Sequence, residues 1–289
     1  MNAIKTSVLM AGLTALFGWA GHALAGQTGM LLALFLAAGM NLLAYWNADK
    51  MVLAMYGARP VESGKLVEMV HDLARRAGLP LPKVYVIETA QPNAFATGRN
   101  PRHAAVAVTR GILDLLDARE LRGVLGHELT HVRNGDTLTM TLTATLAGAL
   151  STLANFAMFF GGGPGRDRQG SPLVTLLFIV LAPLAAMLVQ LAISRTREYA
   201  ADQGGAEITG DPEALADALL KIDQAARRIP NSVAEGNPGT AHMFIVNPLS
   251  GRAVDSLFST HPATENRIAA LQEMFPSSAD GRRGRGGAP

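Results

Sequence analysis

The chain has 289 residues, a formal net charge of +2 and no cysteine. Without cysteine there are no disulfides and no thiolate-held metals, so any metal site must be built from imidazoles and carboxylates. Charged residues make up only 17% against 49% hydrophobic; three of the positive charges (Arg282, Arg283, Arg285) lie in a glycine-rich tail, and no basic stripe interleaved with aromatics marks a nucleic-acid surface.

Four apolar stretches organise the chain. Residues 6–25 and 29–46 are nearly free of charge and are separated by Gly26-Gln27-Thr28. Residues 138–160 and 172–193 form a second pair, joined by the glycine-rich stretch 161–170. Each is close to the roughly 20 residues that cross a ~30 Å hydrocarbon core at 1.5 Å per residue. The expectation is four transmembrane helices in two hairpins. Thr137, Thr139, Thr141, Thr143 and Thr145 make the third stretch mildly polar, and their hydroxyls can bond back to the helix or reach a neighbour. Lys5, the first apolar run and Ala23-Leu24-Ala25 also fit a cleavable signal. The run exceeds the usual length of a signal's apolar core and a second span follows at once, so an uncleaved anchor is the better reading.

The polar segments 47–137 and 194–289 are separated by two spans and therefore share one side. Lys5, Lys50, Arg133, Arg195 and Arg197 flank the spans there, which makes that side cytoplasmic by the positive-inside rule. Arg166 and Arg168 in the opposite loop count against it. Within the first polar segment, helical periodicity covers residues 61–77, and short β-rich runs occupy 83–88 and 104–109, with 93–97 as another short strand. A helix follows over 110–116. Asp117 with Glu120 three residues on is a capping-box signature for the next helix, which ends near Asn134-Gly135. The second polar segment reads as helical around 194–203, 211–228 and 261–274, with Pro212 after Asp211 as a helix start.

The chemistry lies on the capped helix. His127 and His131 are one turn apart on one face, a spacing that lets two imidazole nitrogens reach one zinc ion at about 2.0–2.1 Å. Glu128 sits beside the first of them, where its carboxylate can serve as general base; this is the HExxH arrangement of metalloproteases. A catalytic zinc takes three protein ligands and one open position. Glu198 and Asp202, four apart after the fourth apolar stretch, are the candidates: Glu198 to ligate, Asp202 to orient a ligand imidazole. Alone, Glu198 would read as a surface partner of Arg195 or Arg197. The intervening membrane hairpin is what returns its helix beside the first.

His127-Glu128-Leu129-Thr130-His131, a membrane hairpin and then Arg197-Glu198-Tyr199-Ala200-Ala201-Asp202 together resemble the HtpX-type membrane zinc metalloproteases, relatives of the zinc-dependent CAAX prenyl endopeptidases. The resemblance extends to Asn93-Ala94-Phe95-Ala96-Thr97-Gly98, to Ala241-His242-Met243-Phe244-Ile245, and to Thr260-His261-Pro262 with Arg267. It implies one zinc per chain held by His127, His131 and Glu198, with Glu128 as base. It further implies His261 and Arg267 as oxyanion-stabilising residues, and Asn93, Ala94, Phe95 and Ala96 as an edge that pairs with extended substrate. The implied setting is the bacterial cytoplasmic membrane, and the implied substrates are misfolded or damaged membrane proteins.

The expected architecture is an integral membrane protein, mainly α with a small β element. Two transmembrane hairpins (1–47 and 138–193) alternate with two segments of a zincin-like α+β catalytic domain (48–137 and 194–276), and a disordered basic tail (277–289) follows. The expected partners are the lipid bilayer and unfolded membrane substrates, with no nucleic acid; homo-oligomerisation is left open. An intramembrane metalloprotease is disfavoured because Asp117, Arg119, Glu120, Arg122, Arg133 and Asp136 bracket the motif and charge is costly inside a bilayer. A prenyl-protein endopeptidase would have more spans. A non-catalytic adaptor with a vestigial metal site sits poorly with a full set of ligands and base. His22, His71 and His103 read as interfacial, boundary and loop residues, and Met243-Phe244 as either a lid or a packed loop.

Overall fold

The structure is a computed structural model and describes residues 2–145, 195–229, 234, 238–246 and 262–274. The first element, α1 (Asn2–Met55), is two helices broken at Ala25 and Gly26, where Gly26 takes φ 60° and ψ −148°. A side chain rarely reaches that conformation, so glycine makes the reversal. Helix Ala25–Met55 is long and apolar enough to cross a membrane by length and composition, and it leaves Trp46, Phe35 and Leu43 exposed. Across the hairpin the Asn41 amide donates to the Thr14 hydroxyl at 2.9 Å. The expected fourth span and most of the third lie outside the described residues.

The second helix runs past the apolar stretch that ends at Trp46. It continues to Met55 because Ala48, Val52 and Leu53 face inward, while Lys50 and Met51 stay exposed. Val52 and Leu53 pack with Phe95, Ile87 and Met243. An exposed apolar helix thus becomes a core helix at its end and is anchored to the sheet.

The sheet runs in the order β1-β2-β4-β3, from β1 (Arg59–Val61), β2 (Lys83–Ile87), β3 (Ala94–Thr97) and β4 (Ala105–Thr109). The pair β2–β4 is parallel, while β1 and β3 join as antiparallel edges. The last three strands fall where the β-branched runs placed them. The exception is β1: Val61 belongs to a strand, and α2 spans only Lys65–Arg76. Val67, Val70, Leu73 and Ala74 form its buried stripe, so the periodicity was helical from 65 onward and merely abutted an apolar strand residue.

Helices α3 (Arg110–Leu115) and α4 (Ala118–Asn134) follow β4. The capping box of Asp117 and Glu120 is complete, and α4 ends at Gly135 with φ 70°. Residues 137–145 are helical again. Beyond them lie α5 (Arg195–Thr209), α6 (Pro212–Ala226) and α7 (Thr264–Met274). Asp211 caps α6 by accepting from the Ala214 amide at 3.0 Å. The main core gathers Val70, Leu73, Val106, Ile112, Leu129 and Leu219 between sheet and helices. Each such side chain contributes about 1.5–3 kcal/mol by leaving water.

Helices α4 and α5 cross with glycine against backbone. A Cβ placed on Gly205 would lie 2.7 Å from the amide nitrogen of His127, and one on Gly126 would lie 3.0 Å from the Gly205 carbonyl oxygen. This contact brings the two ligand-bearing helices within reach of one another. Gly205→Ala is expected to force them apart at a cost of about 1–3 kcal/mol and to lower metal content with it. Thermal unfolding and metal analysis of that variant check the expectation; wild-type values for both would show that the crossing can relax.

Candidate metal centre

Helix α4 carries His127, Glu128 and His131, and all three are buried. Glu198 in the first turn of α5 and Asp202 one turn later are buried as well. The Nε2 atoms of His127 and His131 each lie 3.7 Å from a carboxylate oxygen of Glu198. One ligand atom from each of the three residues falls within 4.8 Å of the others. Tetrahedral zinc with bonds of 2.0–2.1 Å separates its ligands by about 3.4 Å, so this donor set fits such an ion with small side-chain adjustments. The chemistry agrees: two imidazoles and a carboxylate are a catalytic zinc set.

The other ring nitrogens are occupied. The Nδ1–H of His127 donates to Asp202 at 2.9 Å, and that of His131 donates to Asp136 at 3.1 Å. A carboxylate only accepts, so each ring carries a proton on Nδ1 and turns Nε2 toward Glu198, where the neutral ring can hold a metal ion. The guanidinium of Arg267 lies 3.4 Å from His127 Nδ1, but a protonated nitrogen cannot accept from it, and the contact is one of proximity. Burial would raise the Asp202 carboxyl, yet the charge and hydrogen bonds of Arg267 overcome it and hold the group well below the usual carboxylate range. Burial would lower the His131 imidazole, but its bond to Asp136 and the charges of Glu198 and Glu128 push it up to about 9.

Glu128 accepts from the Ala96 backbone amide at 2.9 Å, and burial, reinforced by the neighbouring Glu198, raises its pKa against the opposing histidines. Ala96 belongs to β3, the sheet edge facing α4. Since the Thr109 amide donates to the Asn93 carbonyl, Asn93, Phe95 and Thr97 bond toward β4, and Ala94 and Ala96 turn their backbone groups outward. Among the four expected edge residues, Ala94 and Ala96 therefore turn their backbone away from β4, and the Ala96 amide is taken by Glu128. Phe95 is buried against Tyr56, with ring centroids 5.7 Å apart. The Asn93 side chain is committed elsewhere, accepting from the Ile245 amide at 3.1 Å.

Arg267 departs from the role that resemblance gave it. It is buried on α7 and donates to both Asp202 oxygens, at 2.8 Å from Nε and 2.6 Å from Nη2. Its remaining Nη1 donates to the Ile245 carbonyl at 2.7 Å. The guanidinium therefore stands behind His127, on the Nδ1 side, away from the edge where Nε2 faces Glu198. His261 lies outside the described residues. Met243 and Phe244 are buried as a packed strap, and His242 Nε2–H donates to the Met140 carbonyl at 3.0 Å. His71 bonds to the Pro82 carbonyl, and His103 ends the short 3-10 turn Pro101–His103 and bonds to its cap Asn100.

Two features are not legible from motif spacing. Asp136 reads there as a charge that brackets the motif, although an acid directly after a glycine helix stop is the available signal. The Gly126–Gly205 crossing left no local pattern.

The crystal structure of Ste24p from S. mikatae superposes with a TM-score of 0.52 at 19% identity, over 93% of this chain and 64% of that one. The likeness is one of fold, and this chain spans a little under two thirds of the length of that protein. A family model, that of peptidase family M48, matches residues 60–275, from β1 through α7 and so across every residue of the cluster. The chain belongs to peptidase family M48.

Proposed function

We propose that this protein is a membrane-anchored zinc endopeptidase that cleaves misfolded or damaged membrane proteins at the cytoplasmic face. The observation that carries the reading is the convergence of His127, His131 and Glu198 beside Glu128, facing a sheet edge. His127, His131 and Glu198 would hold the ion. Zinc bound there supplies a Lewis acid for the scissile carbonyl and brings the pKa of water toward about 7.

The chain's own residues do the rest. The outward backbone of Ala94 and the Ala96 carbonyl would pair with an extended peptide as a further strand does, and those main-chain hydrogen bonds would set the register of the scissile bond, while the Ala96 amide stays on Glu128. Glu128 takes a proton from the attacking water and returns it to the leaving amine. Burial favours this, because it raises the carboxylate toward the range where it can both accept and donate. Helix Ala25–Met55 supports the membrane anchorage, and flanking Lys50, Arg133, Arg195 and Arg197 support the cytoplasmic side. The quality-control role and the bacterial inner membrane rest on the resemblance to HtpX-type enzymes.

The test is zinc content and casein cleavage of the purified, detergent-solubilised chain, before and after chelation. About one zinc per chain, with cleavage lost on chelation and regained on adding zinc, is the expected result. Glu198→Ala should lower zinc content sharply; unchanged stoichiometry would remove Glu198 from the ligand set. A chain without zinc, or cleavage that survives chelation, would overturn the reading.

A further inference from the structure

His131 has a carboxylate of its own, and its origin differs from that of the Asp202 partner of His127. Asp202 comes from another helix and is locked by Arg267. Asp136 comes from the same chain turn, five residues after His131. Gly135 ends α4 with φ 70°, in the left-handed region where glycine carries no penalty. That turn folds the chain back so that the Asp136 amide donates to the His131 carbonyl at 3.0 Å. The Asp136 side chain then reaches the ring of the same residue, with Oδ2 at 3.1 Å from Nδ1. One residue thus grips His131 twice, by backbone and by ring.

The carboxylate is also buried and central. Asp136 is 2% exposed, and its second oxygen, Oδ1, lies 3.9 Å from Nη1 of Arg197, the neighbour of Glu198. Its carbonyl accepts from the Met140 amide at 3.1 Å, which begins the helical stretch 137–145. Burying a carboxylate costs several kcal/mol unless it is paired, and an uncharged residue would end the helix at no such cost. Arg197 lies on the Oδ1 side, and the hydrogen bond from Oδ2 goes to the His131 ring.

We propose that Asp136 is a positioning residue for the metal centre: by accepting from Nδ1–H it fixes the tautomer and ring orientation of His131 and strengthens Nε2 as a donor. The proposal rests on the zinc reading above. It concerns a contact that neither the ligand set nor the Asp202–Arg267 pair supplies. Carboxylates in this position are worth about 10–100-fold in metal affinity.

The experiment uses the full detergent-solubilised chain, stripped of metal, and measures zinc affinity by competition with a fluorescent chelator. Asp136→Asn keeps an acceptor oxygen and the turn but removes the charge, and Asp136→Ala removes both. Zinc binding should weaken about 10–100-fold in the Asn variant and further in the Ala variant. Cobalt(II) is the second probe, because its visible absorption reports the field of its ligands and is read only from chains that bind the ion. The spectrum of Asp136→Asn should differ from wild type, since the His131 donor has changed, even if part of the preparation fails to fold. Asp136→Glu, which retains the carboxylate, should recover part of the lost affinity. Wild-type zinc affinity with an unchanged cobalt spectrum in the Asn variant would overturn the proposal and leave Asp136 as a turn residue. Failure of the wild-type chain to bind zinc would instead overturn the zinc reading itself.

Discussion

Replacing Glu128 by Gln is expected to lower peptide cleavage by about 10²–10⁴-fold, the usual worth of a positioned general acid–base, with zinc content unchanged. The separation of the two readouts follows from the geometry. Glu128 is offset from the face that carries His127 and His131, and its carboxylate bonds to the Ala96 amide of β3 rather than belonging to the ligand triad. The amide of Gln is nearly isosteric and can still accept from Ala96 through its carbonyl oxygen. What it cannot do is take a proton. Steady-state casein cleavage and metal analysis on the same preparation decide the matter. Full activity in Glu128→Gln would remove the residue from the proton path, and loss of zinc would move it into the ligand set.

The metal-binding face of α4 was legible because its cause is local: two imidazoles four residues apart share a helix face in any context. The capping box of Asp117 and Glu120 and the stop at Gly135 were legible for the same reason, and so were β2, β3 and β4. Glu198 requires a topological step, the expected return of the chain by a hairpin to the side it left. The structure brings Glu198 to 3.7 Å from both imidazoles, and residues 146–194 between them lie outside the described residues. Helix α1 runs on past the apolar stretch because the polarity of Asn47, Asp49 and Lys50 marks only the outer face of a helix whose inner face enters the core at Val52 and Leu53. Burial of the Asn93 side chain against Ile245 could not be foreseen, since the contact joins residues 152 positions apart.

The same limit explains Arg267, where the motif predicted the residue but not its direction. Its guanidinium is 1% exposed and its donors go to Asp202 and the Ile245 carbonyl. Arg267→Met should therefore destabilise the chain by about 3–5 kcal/mol, because it strands a buried carboxylate. That is a large share of the roughly 5–15 kcal/mol that holds a domain folded. Asp202→Asn combined with Arg267→Met removes both charges and should recover much of the loss, as two buried partners replaced together leave no uncompensated ion. Thermal unfolding of the three forms in detergent measures the effect. A residue that served only the oxyanion would behave in the opposite way: Arg267→Met would unfold near the wild-type temperature, bind zinc normally and lose turnover alone. The placement of the guanidinium on the Nδ1 side of His127 argues for the first pattern. In that pattern the fall in activity tracks the fall in folded, zinc-loaded protein.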